Sequence, residues 1–163
     1  MELVIEGHPA LTRTSEPWTD QGDRELLVKE MLRIMFATNG IGLAAPQVGI
    51  NSRMFVMGNK TAVYACFNPR IIESSDEQEL GPEGCLSFPG LFLNIKRPQR
   101  ITVEYEDVKN HTQTKEFTGI MARCFQHELD HLDGVCFTER ASRLGLSLAR
   151  NRQRKFLKKS LNA

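Results

Sequence analysis

The spacing of apolar positions changes character along the chain. From Arg24 to Ala37, "RELLVKEMLRIMFA", Leu27, Met31, Ile34 and Met35 recur at helical intervals, and "TNG" comes next as a stop. This predicts a helix with one buried face. The period then shortens. "RMFVMG" and "TAVYACFNP" read as strands, and the alternation in "ITVEYED" and "TQTKEFTG", joined through "VKNH", predicts an antiparallel hairpin. Helical spacing returns from about Ile120 to Leu132, where Asp133 and Gly134 close the element. Helices mixed with antiparallel strands, without βαβ regularity, predict an α+β fold.

Two stretches obey neither period. "GPEGCLSFPG" carries glycines at 81, 84 and 90 and prolines at 82 and 89, so regular structure is not expected there, while close backbone approach is. "NGIGLAAPQVG", residues 39 to 49, satisfies G-x-G-x-x-G/A through Gly40, Gly42 and Ala45. That fingerprint should follow a strand and open a helix, with an acid about 20 positions on. Here a helix precedes it, Pro46 would break a helix opening at this point, and "GNKTAVY" at 58 to 64 has no acid. Dinucleotide binding is therefore set aside. The stretch is left as a strip of small residues with one amide, Gln47, suited to a peptide-like ligand whose carbonyl oxygen needs a donor.

With 163 residues, 40% hydrophobic and 25% charged, the chain has the makings of one globular domain with its own core. No stretch approaches the roughly 20 apolar residues of a membrane span, and "MELVIEGHPALTR" has neither a signal-peptide nor a transit-peptide composition. Cys66, Cys85, Cys124 and Cys136 are irregularly spaced, and such a domain needs no disulfides, so free thiols in a cytoplasmic protein are expected. The net charge of +1 conceals an asymmetry. Eight Lys or Arg and no acid lie between Arg140 and Ala163, leaving 13 bases against 20 acids, net −7, in the first 139 residues. We divide the chain into a body, 1–140, and a basic helical tail, 141–163, in a single domain without repeats.

The candidate chemistry lies in "QHELDH", Gln126 to His131. On a helix His127 and His131 differ by only about 40° in bearing and sit roughly 6 Å apart along the axis. Both rings can reach one ion. Glu128 lies about a quarter turn away, where it can hydrogen-bond a water on that ion without ligating it, the division of labour in H-E-x-x-H hydrolases. A third ligand is then needed, and cysteine suits because its thiolate binds strongly. Cys124 shares the histidines' face but lies about 7.5 Å along the axis from a metal between them, beyond a short side chain's reach. It reads as core, as does Cys66 in its apolar run. Cys136, beyond the Gly134 break, and Cys85, on the glycine-rich stretch, both stay open, and a buried turn residue explains Cys85 equally well.

"GIGLAAPQ", "EGCLS" and "QHELDH" occur in the order and with roughly the spacing of the three sequence motifs of peptide deformylase, and the similarity runs from about "IEGHPALT" to "GVCFTER". The chain resembles that family, whose reaction removes the formyl group from N-formylmethionine at the start of new polypeptides. The resemblance implies antiparallel strands around a central metal-binding helix. It makes Cys85, His127 and His131 the ligands of one divalent ion, Glu128 the general base, and Gln47 with the Leu86 N–H the oxyanion donors. It places Ile41 and Gly42 along the peptide and Glu83 in support of its motif. Family analogy names Fe²⁺, while a Cys-His-His set accepts Zn²⁺ equally on softness and geometry. N-formylmethionyl nascent chains are the implied partner of a monomer.

Some members carry an arginine shortly after "EGCLS", whereas "FPGLFLN" is apolar through Leu93. The tail matches no family motif. A deformylase must meet chains leaving the ribosome, so the expectation is that Arg150, Arg152, Arg154, Lys155, Lys158 and Lys159 dock on ribosomal RNA while Leu144, Leu148, Phe156 and Leu157 seat the helix on body or partner. Two other readings have discriminators. A zinc peptidase would take a downstream acid as third ligand, and Glu139 is the one soon after the helix break. A metal-stabilised RNA-binding protein would have a closed fourth coordination position.

Overall fold

In the computed structural model, which describes residues 1–20 and 22–163, the first helix, α1, covers the expected Arg24–Ala37. Asp23 caps it, its carboxylate accepting a hydrogen bond from the Leu26 N–H. Met31, Ile34 and Met35 are buried and pack with Trp18, Leu43, Met54, Val56 and Phe67. Asn39, at φ 56°, turns the chain away in the left-handed conformation that asparagine tolerates.

Among the described residues seven strands make up the sheets: β1 Gly42–Ala44, β2 Met54–Gly58, β3 Val63–Ser74, β4 Gln78–Cys85, β5 Phe88–Pro98, β6 Arg100–Glu106 and β7 Thr112–Thr118. Five of them form one antiparallel sheet in the order β1-β2-β3-β6-β7. The predicted β6–β7 hairpin is present, its turn tied by Asp107, which accepts from the N–H groups of Lys109 and His111. β3 runs beyond the expected stop at Pro69. The ladder shifts register between Phe67 and Arg70 and Asn68 takes φ 47°, so the proline sits in a bulge and breaks no hydrogen bond of a regular pair.

The expectation of irregular chain over residues 81–90 is corrected: β4 and β5 form a two-stranded antiparallel hairpin turning at Leu86 and Ser87. Each strand of a two-stranded sheet keeps a free edge, so Pro82 can lie in β4 without leaving a partner unpaired. Glycine serves packing here. A Cβ on Gly84 would come within 2.8 Å of the Phe92 ring, and one on Gly81 within 3.0 Å of the Arg123 guanidinium.

The second helix, α2, is Gly119–Leu132. Its Ala122, Cys124, Phe125 and Leu132 pack against the five-stranded sheet with Phe55, Val103 and Phe117, the Phe55 and Phe125 rings meeting edge-on at 5.0 Å. Burying each such ring contributes about 1.5–3 kcal/mol, so the apolar face fixes the helix's rotation and leaves the polar face to meet the β4–β5 hairpin. The third helix, α3, is Arg143–Leu161, capped by Ser142, and it packs on β5. Leu146 and Ala149 join Leu91, Leu93 and Ile95 in one apolar cluster, and Gln153 on the same face is buried. Of the residues expected to seat the tail, Leu144 stands in solvent at 70% exposed, Leu148, Phe156 and Leu157 are partly exposed at 47%, 52% and 40%, and the Phe156 ring lies over Gly90. The face that meets the body is set by Leu146, Ala149 and Gln153, whose spacing of three and four residues puts them on one side of the helix. No helix among the described residues is long and apolar enough to cross a membrane.

Candidate active site

The two histidines of α2 face the hairpin one turn apart, their ring centroids 5.0 Å from each other. Cys85, the last residue of β4, reaches them: its Sγ lies 3.3 Å from His131 Nε2, and one donor atom from each of Cys85, His127 and His131 falls within 4.8 Å of the others. The hairpin's register shifts between Gly84 and Cys85. Such a bulge re-aims a side chain, here the thiol.

Glu83 orients one of these rings. Its Oε1 lies 2.9 Å from His127 Nδ1, an arrangement in which Nδ1–H donates and Nε2 is left facing the cluster. The carboxylate is itself fixed by Arg97 Nε and Nη2 at 2.6 and 2.9 Å and by Arg123 Nη1 at 2.8 Å. Burial works against ionisation of Glu83, but the Arg97 and His127 hydrogen bonds win and lower its pKa to about 2. Arg97 continues to Asp130, which accepts also from Arg140. Every charge in this buried chain has a partner, as burial demands.

Sequence reasoning missed Arg97, Arg123 and Asp130. A signal existed for the first: Leu91, Leu93, Ile95 and Arg97 are the inward positions of β5, so the arginine continues the parity of a buried face. It could be used only once β5 was known to be a strand.

The donor set fits a divalent cation. Burial opposes a charge on His127, yet the Cys85 sulfur, Glu83 and Glu128 raise its pKa to about 10, whereas burial and the neighbouring positive charges hold His131 well below its usual value. The surroundings thus favour one positive charge at this point. A divalent ion meets the same demand, and its uptake would release the proton. One sulfur and two imidazole nitrogens suit Fe²⁺ or Zn²⁺.

Glu128 is buried beside this cluster, outside the three donors, and its Oε2 has no hydrogen-bond partner among the described residues. Burial pushes its pKa up to about 7, the range in which a carboxylate can both accept and return a proton. Gly42 makes room for it: a Cβ there would collide with Glu128 Oε1 and come within 2.8 Å of Cys124 Sγ. Gln47 lies just past β1 in a short 3₁₀ turn, Ala45–Val48. Its Oε1 accepts from the Ala44 N–H at 2.9 Å, which fixes the amide so that Nε2 points towards Ser87 Oγ (3.2 Å) and Cys85 Sγ (3.5 Å). Leu86 lies in the turn beyond Cys85, and Ile41 stands half-exposed at the rim.

All nine predicted site residues except His131 line one cleft of about 440 Å³, and His131 closes the donor cluster behind it. Phe92, 64% exposed, lines the same cleft in the apolar stretch where some deformylases carry arginine, and Arg97 is turned inward onto Glu83. The remaining cysteines are core. Cys66 and Cys124 belong to the sheet-facing cluster, with the Cys124 thiol 3.4 Å from the Ile41 carbonyl, and Cys136 is buried near Leu11. Glu139, the ligand a zinc peptidase reading requires, instead accepts from the Cys136 N–H.

Two imidazoles on one helix face and a thiol from the hairpin, with a buried carboxylate beside them in one cleft, are the kind of site found in metal-dependent hydrolases. Sequence and structure comparisons narrow this. Residues 1–146 match the family model of polypeptide deformylase. The chain is 41% identical to a peptide deformylase of Thermotoga sp. strain RQ2 over 141 residues, 86% of each chain, and 44% identical to that of Natranaerobius thermophilus over 135 residues, 82% of this chain and 86% of the other. The crystal structure of a peptide deformylase from Synechococcus elongatus in complex with actinonin superposes with a TM-score of 0.88 at 36% identity, covering 93% of this chain and 85% of that one. The chain belongs to the polypeptide deformylase family.

Proposed function

We infer that the cleft hydrolyses the formamide of N-formylmethionyl peptides, with Cys85, His127 and His131 holding one divalent ion. The observation that carries this reading is the convergence of those three donors beside a buried carboxylate with an unpartnered oxygen. Held by these residues, such an ion would supply a Lewis acid and lower the pKa of water there towards 7. Glu128 accepts a proton from the attacking water and returns it to the leaving amine. Gln47 Nε2, held in orientation by Ala44, and the Leu86 N–H face the oxygen on which negative charge develops, an interaction strongest in the transition state. Ile41 and Gly42 border the peptide, and Glu83 acts through His127. The formyl C–N bond breaks, giving formate and a free amino terminus.

Formate release from formyl-Met-Ala-Ser, with acetyl-Met-Ala-Ser as control and metal content measured anaerobically, tests the reading. Turnover of the formyl peptide alone is expected, and its absence in metal-replete protein would overturn the assignment. Fe²⁺ is the proposed native ion, with Zn²⁺ acceptable to the same donors; a ferrous site should lose activity in air and keep it under argon.

We assign the chemistry to residues 1–140 of a monomeric cytoplasmic protein, and to 141–163 a basic face that meets ribosomal RNA. Arg152, Arg154, Lys155, Lys158 and Lys159 are exposed on α3, whereas Arg150 is paired with Glu6. Truncating the helix would uncover Leu91, Leu93 and Ile95, so replacing the five exposed cations with glutamine is the cleaner test. Formyl-peptide hydrolysis should be unchanged while ribosome co-sedimentation at low salt falls. In the parent protein the log-log salt slope should be about −0.7 to −0.9 per phosphate neutralised. Equal sedimentation of variant and parent would exclude the tail as the docking element.

A further inference from the structure

The C-terminal helix meets the active site at Pro89, Gly90 and Leu91. Gly84 pairs with Phe92 and Cys85 with Phe88, so these three residues stand outside the β4–β5 ladder directly beside the thiol. They form a bulge within β5 that has no partner residues in β4, where the ladder is locally disrupted. α3 contacts all three residues. Gln153 Nε2 donates to the Pro89 carbonyl at 3.1 Å, the Phe156 ring covers Gly90, and Leu91 packs in one cluster with Ala149. Gly90 has φ +75°, and a Cβ there would run into Phe156, so this contact requires glycine on two counts.

The same helix is also linked, through the N-terminal segment, to the backbone of Ser87 and Gln47. Arg150 Nη1 donates to Gln153 Oε1 at 2.9 Å, which fixes the amide with its Nε2 towards Pro89, and the guanidinium also pairs with Glu6. The Glu6 N–H donates to the Ser87 carbonyl and the Val4 N–H to the Gln47 carbonyl, each at 2.8 Å. Gln47 Nε2 closes the circuit on Ser87 Oγ. The N-terminal segment is thus strapped between α3 and the two pieces of backbone that present Gln47 and Leu86.

We propose that Gln153 and Arg150 are positioning residues for deformylation, which through Pro89 and Glu6 hold the Cys85–Leu91 segment and Gln47 in the geometry that the oxyanion requires. The proposal rests on the reading of Gln47 and the Leu86 N–H as oxyanion donors. Such donors act only where they are held in advance, and small displacements at a reacting centre are costly in rate. The Arg150–Glu6 pair is partly open to solvent and contributes little to global stability, so its loss should appear in turnover.

The test uses full-length, metal-loaded protein and formyl-Met-Ala-Ser. Gln153→Glu keeps the size of the side chain but sets an acceptor against the Pro89 carbonyl. Arg150→Met removes the strap, and Arg150→Lys keeps a cationic donor. Gln153→Glu and Arg150→Met should each lower kcat roughly ten-fold, short of the about 10²–10³ lost with an oxyanion donor itself. KM and metal content should hold in both, Tm should hold in Arg150→Met and fall modestly in Gln153→Glu, whose buried carboxylate faces a carbonyl, and Arg150→Lys should remain close to the parent. Amide exchange over residues 85–91 should quicken in the two slow variants only. Parental kcat in both, in a protein whose Gln47→Leu variant is slow, would overturn the proposal; so would losses that track metal content, a loss in Arg150→Met that tracks Tm, or an Arg150→Lys protein as slow as Arg150→Met. If Gln47→Leu itself turns over at the parental rate, the oxyanion reading fails and this proposal fails with it.

Discussion

Cys85→Ala protein is expected to purify without stoichiometric metal and without hydrolytic activity. The thiol is one of three donors that converge among the described residues, and removing it leaves two imidazoles, one of which, His131, is held neutral by its burial. Two neutral nitrogens bind a divalent ion far less tightly than a set that includes an anionic sulfur. The fold should survive, because Cys85 lies at the mouth of a turn and is only partly buried. Cys124→Ala and Cys136→Ala serve as controls. Both thiols are packed in apolar clusters and neither belongs to the donor set, so these variants should keep their metal despite some loss of stability. Elemental analysis of the three proteins decides the matter, and a metal-replete Cys85→Ala variant would sink the ligand assignment.

Glu128→Ala should separate ion binding from proton transfer. The carboxylate stands outside the donor cluster, so the metal should remain, while kcat falls by at least about 10²–10⁴, the range for a general base. The pH profile carries a second signature. Burial raises Glu128 towards neutrality, to about 7, and a cation held by its neighbours draws it back down. A base must be ionised to work, so kcat/KM in the parent should be full above the pKa of Glu128 and be lost as pH falls through it. In Glu128→Ala that acid limb should vanish along with most of the rate. Unchanged turnover would remove Glu128 from the mechanism.

Local periodicity made some of this molecule legible and hid the rest for identifiable reasons. α1, α2 and the β6–β7 hairpin could be read because each carries its own repeat of apolar positions. The β4–β5 hairpin could not. Gly81, Pro82, Gly84, Pro89 and Gly90 signal a loop locally, and the strands exist because their partners, the Phe92 and Arg123 side chains among them, fit against bare backbone. Strand formation of that kind depends on tertiary context more than on propensity. At the site, His127, Glu128 and His131 came from helical spacing alone. The reach argument against Cys124 agrees with its burial against the sheet. Cys85 stood level with a turn residue until the family motifs were considered, since nothing local to "EGCLS" says which helix it faces. Likewise the contact of α3 with β5 through Leu146, Ala149 and Gln153 was obscured by further apolar residues around the helix, Leu144, Leu148 and Leu157, that are more exposed.

The central claim is the identity of the donors, and X-ray absorption at the metal edge of zinc-substituted protein tests it most directly. One sulfur at about 2.3 Å and two imidazole nitrogens at about 2.0–2.1 Å are predicted, with the sulfur shell absent from any metal retained by Cys85→Ala protein. A first shell without sulfur, or with a protein carboxylate in its place, would contradict the account.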